Sequence, residues 1–109
     1  AWNGLQEATE FGAIAIALWI VEHFTPYKVV ERAQITTGHD YYLSEKNSTS
    51  PFPHQAYLEV SGILRGKKGI INQRLKEKIE QVSKRRMTTL SAYIIVVEFS
   101  QPIVKIAIR

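Results

Sequence analysis

The chain of 109 residues contains no cysteine, one methionine, four prolines and six glycines. Without cysteine it cannot form a disulfide scaffold, a thiolate zinc site or a cysteine nucleophile. Its three histidines, His23, His39 and His54, are scattered and match no zinc motif. The lack of thiols is compatible with a reducing compartment, and we expect a cytoplasmic protein.

Long apolar runs are also missing. The longest uninterrupted apolar stretch, Phe11–Val21 counting Gly12, has eleven residues, whereas a helix needs roughly 20 to cross a bilayer. Glu7 and Glu10 precede this stretch, where a signal peptide would carry basic residues. We therefore expect a buried helix and no association with a membrane.

The composition, with 45% apolar and 22% charged residues, is that of an ordinary globular protein. We expect a single domain over residues 1–109. The net charge of +4 conceals an asymmetry, because residues 65–86 hold nine basic and two acidic side chains, a net +7. The rest of the chain holds five basic and eight acidic side chains, a net −3. A positive end of this kind suits a phosphate backbone, and it is equally typical of a solvated helix face.

Hydrophobic periodicity and turn residues predict the element order α-β-β-β-α-β-β. The predicted helices are Leu5–Phe24, which ends before Pro26, and the amphipathic Ile70–Ser83. The predicted strands are Tyr27–Gln34, Asp40–Ser44, Ala56–Leu64, Ser91–Phe99 and Ile103–Ile108, with a turn at Thr36–Gly38 and a loop at Glu45–Gln55. We expect an α/β fold in which a mixed sheet contains a parallel β-α-β crossover with flanking helices.

Two acidic residues stand out by their positions in the predicted strands. Asp40 opens the second strand, and Glu59 lies in the middle of the third, on the same face as Tyr57 and Ser61. A carboxylate inside an apolar strand needs a partner, because desolvating a charge is costly. If Asp40 and Glu59 face each other, they form an oxygen-rich site suited to Mg²⁺ or Mn²⁺. The alternative is a Glu59 that is solvated at a sheet edge or paired with Arg32.

The element order and the two acids resemble the PD-(D/E)XK nucleases, the restriction-endonuclease-like fold. In that family an Asp at the start of the second core strand is followed by Glu-x-Lys on the third, and here Asp40 and Glu59 match the two acids. The resemblance implies Asp40 and Glu59 as catalytic residues and metal ligands, with Glu10 (or Glu7) as a further acid from the first helix. The segments around Asp40 and Glu59 are also similar to small uncharacterised bacterial proteins.

The chain departs from the family pattern at Ser61, which stands where Glu-x-Lys has its lysine. Serine supplies no positive charge, so the resemblance requires a lysine from elsewhere. Lys76 on the second helix is the first candidate, and Lys67 and Lys68 are alternatives. Whether the chain is an enzyme therefore stays open.

The segment that contains Lys67, Lys68 and Arg74 is predicted to contact the phosphates of a nucleic acid. The alternative function is that of a non-catalytic interaction module, which would form a homo-oligomer or bind a protein partner.

Overall fold

A computed structural model of the protein describes residues 2–33, 39–49, 54–84 and 90–109. These residues form two helices and five strands in the predicted order. The elements are helix α1 (Trp2–Phe24), strands β1 (Tyr27–Arg32), β2 (His39–Glu45) and β3 (Ala56–Ile63), helix α2 (Ile70–Lys84), and strands β4 (Ser91–Glu98) and β5 (Ile103–Ile108). The turn predicted at Thr36–Gly38, together with Pro51 and Pro53 of the predicted loop, lies outside the described residues.

The five strands form one mixed sheet in the order β1-β2-β3-β4-β5. β3 and β4 are parallel, with α2 as the connection between them, and the other neighbouring pairs are antiparallel. The predicted β-α-β crossover and the predicted hairpin are therefore confirmed. β3 is the middle strand, and all eight of its residues are buried.

Helix α1 packs on one face of the sheet. Its small and branched side chains contact every second residue of the central strands; the contacting residues include Ala13, Ile14, Ala17 and Val21 of the helix and Leu58, Val60, Ile95 and Val97 of the sheet. The close approach depends on Gly62, since a Cβ there would lie 2.9 Å from the carbonyl oxygen of Thr9. The helix ends where Thr25 Oγ1 donates to the carbonyl of Val21 and Pro26 follows.

The expectation that this first helix is buried holds for one side only. Phe11 is 65% exposed, Trp19 55% and Phe24 72%, because α1 covers the sheet with a single stripe of its surface. Within Gly4–Phe24, α1 is long and apolar enough to span a bilayer by length and composition, and 22% of that window is buried against the protein. The outward side of α1 is therefore an apolar surface, and the absence of a membrane association stays a prediction.

Helix α2 packs on the opposite face of the sheet. Its predicted stripe of Ile71, Leu75, Ile79 and Val82 does face the strands and packs against residues that alternate with those facing α1. Gly69, directly before the helix, has a φ of +87°, a left-handed conformation that glycine adopts without a steric penalty. The sheet is thus covered by one helix on each face, and the two faces differ in composition.

Candidate functional site

The face of β3 that points toward α2 carries polar residues. Tyr57, Glu59, Ser61 and Ile63 alternate with the apolar residues that face α1. Glu59 is 1% exposed and Ser61 4% exposed. A charged side chain so far from solvent needs compensating charge nearby, since the desolvation of an ion costs several kcal/mol.

Asp40 on β2 lies directly opposite Glu59 on β3. The two residues are Cα partners in the antiparallel register, so their side chains lie on the same face of the sheet. Asp40 is fully buried, and Glu59 nearly so. Opposed residues of an antiparallel pair have Cβ atoms about 4.5–5.5 Å apart. The register therefore places these two predicted site residues at directly opposed positions on one face of the sheet.

Two cationic side chains of α2 lie over this part of the sheet. Lys78 Nζ is 4.0 Å from Glu59 Oε1, and its side chain is 21% exposed. One helical turn away, Arg74 Nη1 donates a hydrogen bond of 2.7 Å to Ser61 Oγ. The helix therefore supplies one cation beside Glu59 and a second cation at Ser61, the position of the lysine missing from Glu-x-Lys.

Lys76, for which the resemblance predicted a catalytic role, is exposed. It lies five residues after Ile71, on the side of α2 away from the sheet, whereas Lys78 lies seven residues after Ile71 and on the same side. The lysine at Glu59 is therefore Lys78, which the sequence reasoning did not select. Its spacing within the apolar stripe was the signal that could have identified it.

Glu10, the predicted third acid, lies on the α1 side of the sheet. Its Oε2 accepts a hydrogen bond of 3.3 Å from the backbone N–H of Gly62, one residue beyond Ser61. Among the described residues no group of three or more His, Asp or Glu side chains could hold a metal ion. The structure therefore joins Asp40 and Glu59 but does not join Glu10 to them.

A cleft of about 200 Å³ lies beside this site, where β3 ends and both helices approach. Glu10 and the backbone of Gly62 line one side, and Arg65 and Arg74 add two cations. Arg74 therefore contacts both the buried Ser61 and the cleft. The exposed Lys67 and Lys68 precede α2 in the connection that follows Arg65. The cations predicted to contact phosphate thus belong to the segment that leads from the cleft into α2.

Aromatic rings adjoin the carboxylate pair on the same face. Tyr42 and Tyr57, the next opposed pair along β2 and β3, have ring centroids 5.9 Å apart in an edge-to-face arrangement. The ring of His54 stacks on Tyr42 at 3.9 Å, and its Nε2 is 2.8 Å from Glu31 Oε1. These contacts give the sheet a rigid aromatic boundary next to Asp40 and Glu59.

Asp40 and Glu59 fit a hard divalent cation. Mg²⁺ is commonly held by one or two carboxylates, with water and substrate phosphates completing its octahedron. The described residues offer two such carboxylates on one face, so water and phosphate oxygens would complete the coordination. Lys78 supplies a positive charge where a bound cation would, because its Nζ lies 4.0 Å from Glu59 Oε1.

Comparison with protein-family models, with curated proteins and with solved structures finds no match for this chain. The residues that the structure describes form an α/β fold with a five-stranded mixed sheet and two helices, and a fold of this class does not by itself determine a function.

Proposed function

We propose that this chain is a small nuclease-like domain of the restriction-endonuclease-like type, which binds nucleic acid and hydrolyses phosphodiester bonds with Mg²⁺ or Mn²⁺. The observation that carries the proposal is the register of β2 and β3, which sets Asp40 opposite Glu59 on the face beneath α2. The element order, and the Asp that opens the second strand, agree with that family's core.

Asp40 and Glu59 would hold the divalent cation in this proposal. When bound, such an ion polarises a phosphate oxygen and lowers the pKa of a bound water. The remaining tasks are to bind a phosphate and to balance the charge of the carboxylates. Arg74 suits the first task, because its planar guanidinium binds phosphate oxygens through two parallel hydrogen bonds.

Lys78 has two roles in this proposal, one without a bound cation and one with it. In the protein without a bound cation it offsets the charge of the buried Glu59. With a cation held by Asp40 and Glu59, the Lys78 ammonium group, whose side chain is 21% exposed, would be available to pair with a phosphate oxygen. Lys78 would then stand in for the lysine that is absent at Ser61.

The basic segment supports a role in binding nucleic acid. The connection that contains Lys67 and Lys68 is exposed, as is Lys76 on α2, whereas α1 contains no lysine or arginine. A phosphate backbone would therefore meet the α2 side of the molecule. Each phosphate contact should contribute about −0.9 to the slope of log affinity against log salt on duplex DNA.

The first experiment tests hydrolysis. Purified protein is incubated with duplex DNA, single-stranded DNA and RNA in Mn²⁺, Mg²⁺ or chelator, and the products are resolved on denaturing gels. We expect cleavage of at least one substrate that requires the cation and is lost in Asp40→Asn and in Glu59→Gln. Glu22→Gln, the same acid-to-amide change at an exposed residue of α1, is the matched control and should cleave normally. Cleavage that persists in both acid variants would contradict the proposed site.

A second experiment tests nucleic-acid binding by fluorescence anisotropy in chelator. Reversing the charge of Lys67, Lys68 and Lys76 together should weaken binding to unrelated sequences and flatten the salt dependence. The exposed Lys28 on β1 offers a control for a general charge effect. No binding to any of the three nucleic acids at low salt would rule out the nucleic-acid function, since electrostatic attraction is strongest there.

The apolar surface of the molecule favours a second candidate, a non-catalytic interaction module. Besides the exposed rings of α1, three branched side chains of β5 are exposed on the α1 face: Val104, Ile106 and Ile108. An interaction module would bind no nucleic acid near physiological salt, would cleave none, and would still associate through this surface.

A further inference from the structure

The two edges of the sheet are built differently. β1, at one edge, carries Lys28, Glu31 and Arg32 and has an irregular register between Val29 and Glu31. Charges and bulges of this kind discourage the addition of another strand. β5, at the other edge, has a regular register and one charged residue, Lys105, whose Nζ donates to Asn72 on α2. Among the residues that the structure describes, the β5 edge is therefore the one left open for pairing.

The backbone groups that β5 presents to its free edge follow from its pairing with β4. Ala92 and Arg109 exchange two hydrogen bonds of 2.7 Å, so Arg109 directs its backbone groups toward β4. Because hydrogen-bonded and non-bonded pairs alternate in an antiparallel ladder, Ala107 and Lys105 also bond toward β4. The residues between them, Val104, Ile106 and Ile108, direct their backbone N–H and C=O groups outward.

The same three residues carry the exposed apolar side chains. Val104 is 39% exposed, Ile106 46% and Ile108 69%. Ile106 and Ile108 line an apolar groove of about 170 Å³ between α1 and β5, whose other lining residues include Ile20, Phe24 and Tyr93. Open hydrogen-bonding groups and open apolar surface therefore coincide on one six-residue strand.

We infer that β5 pairs with β5 of a second copy of this chain, in an antiparallel dimer whose two-fold axis passes at Ile106. In that register Ile106 faces its own equivalent, and Val104 faces Ile108. All of these residues direct their backbone groups outward, so the pairing forms six inter-strand hydrogen bonds. The two sheets become one continuous sheet of ten strands.

Charge selects this register over its neighbours. With the axis at Ile106, Lys105 lies opposite Ala107 of the partner subunit, and no like charges are directly opposed. An axis at Lys105 would place two ammonium groups opposite each other, and an axis at Ala107 would oppose Lys105 and Arg109. Like charges at directly opposed positions destabilise a sheet. The strand is thus complementary to itself in one register.

A symmetric pairing of this kind is a closed, isologous interface. Because opposed residues of two strands share one face, both α2 helices come to lie on the same side of the ten-stranded sheet. The inference rests on β5 alone and does not depend on the proposed nuclease function.

The experiment is sedimentation velocity on the full chain over a range of micromolar concentrations. We expect a dimer that becomes a monomer in Ile106→Lys, while Val30→Lys on the opposite edge, the same kind of apolar-to-charged change at an exposed residue, stays dimeric. Circular dichroism establishes that both variants are folded. A wild-type monomer at every concentration, a dimer that survives Ile106→Lys, or an open series of larger oligomers would each overturn the inference.

Cross-linking tests the register independently. The chain has no cysteine, so Ile106→Cys introduces a single thiol. Opposed Cα atoms of a hydrogen-bonded pair lie about 5.5 Å apart, within the range that a disulfide spans. Ile106→Cys should form a dimer on mild oxidation and Lys105→Cys should not, and the reverse result would overturn the register. A monomer that instead sediments with phosphatidylcholine vesicles would assign the apolar strip to lipid and also overturn the inference.

Discussion

Each face of the sheet is covered by one helix, but the two faces use different chemistry. On the α1 face, β3 contributes Ala56, Leu58 and Val60, and the helix fits them with alanine and isoleucine. On the α2 face, the alternate residue Glu59 lies opposite Asp40 beneath a lysine. The first face is what a stable core requires. The second face buries charged side chains at positions where well-packed apolar side chains would stabilise the fold equally well or better. This points to a function on that side of the sheet.

The largest effect on stability should come from the α1 face. Leu58 is fully buried, and truncation of such a side chain leaves a cavity. Leu58→Ala should lower the free energy of unfolding by about 2–5 kcal/mol, measured by urea denaturation. A loss of less than about 1 kcal/mol, at the scale of a surface substitution, would show that the α1 face is not the main core.

A smaller effect is expected from the cation on the α2 face. Removing one partner of a fully buried ion pair costs about 3–5 kcal/mol. Lys78 is partly exposed and 4.0 Å from Glu59, so Lys78→Met should cost less, about 1–3 kcal/mol. Lys76→Met, on the solvent side of the same helix, should change stability by no more than about 0.5 kcal/mol. Equal effects in the two variants would mean that Lys78 does not compensate Glu59.

The smallest effect concerns a tyrosine on the α1 face and appears only at high pH. Burial, and then the neighbouring Tyr27, raise the pKa of the Tyr93 hydroxyl above its usual value of 10.0. The unfolded chain then loses this proton at a lower pH than the folded chain does. The free energy of unfolding should therefore fall as the pH rises above about 10.

Tyr93→Phe is the variant that isolates this contribution, because it removes the hydroxyl and keeps the ring. Its unfolding free energy, measured by urea denaturation on both sides of pH 10, should decline less steeply than that of the wild type. The same slope in both proteins would show that Tyr93 does not contribute to the pH dependence.

The fold could be predicted largely from local patterns. The 3.6-residue period of Ile71–Val82, the apolar run before Phe99 and the turn residues placed every element within three residues of its observed bounds. Because chirality and chain length restrict how a strand, a helix and a strand connect, the parallel crossover followed from the order alone.

The extent of burial could not be predicted in the same way. The first helix has apolar residues on nearly all sides, yet it buries one stripe and exposes Phe11 and Trp19. A sequence pattern shows which residues could enter a core. How many sides of a helix are covered by other elements depends on the whole fold. The apolar side chains on one side of β5 are exposed for the same reason, because α1 does not extend over that strand.

The candidate site was predicted in part. Strand alternation placed Asp40 and Glu59 on faces that could meet, and the register does oppose them. The resemblance asks for a lysine from elsewhere in the chain, with Lys76 as the first candidate and Lys67 and Lys68 as alternatives. In the structure Lys78 lies beside Glu59, and a catalytic role for Lys76 stays a prediction. Glu98, a third buried acid, was not selected at all; its Oε1 accepts hydrogen bonds from the backbone and the hydroxyl of Ser100.

Titrating the protein with Mn²⁺ and following the free ion by electron paramagnetic resonance tests the proposed divalent-cation site at the buried carboxylates beneath α2. We expect one bound Mn²⁺ per chain, tighter binding in Lys78→Met because the competing ammonium group is gone, unchanged binding in Lys76→Met, and loss of binding in Glu59→Gln. No binding by either the wild type or Lys78→Met, or binding that persists in Glu59→Gln, would contradict the proposed site and leave Asp40, Glu59 and Lys78 as a structural ion network.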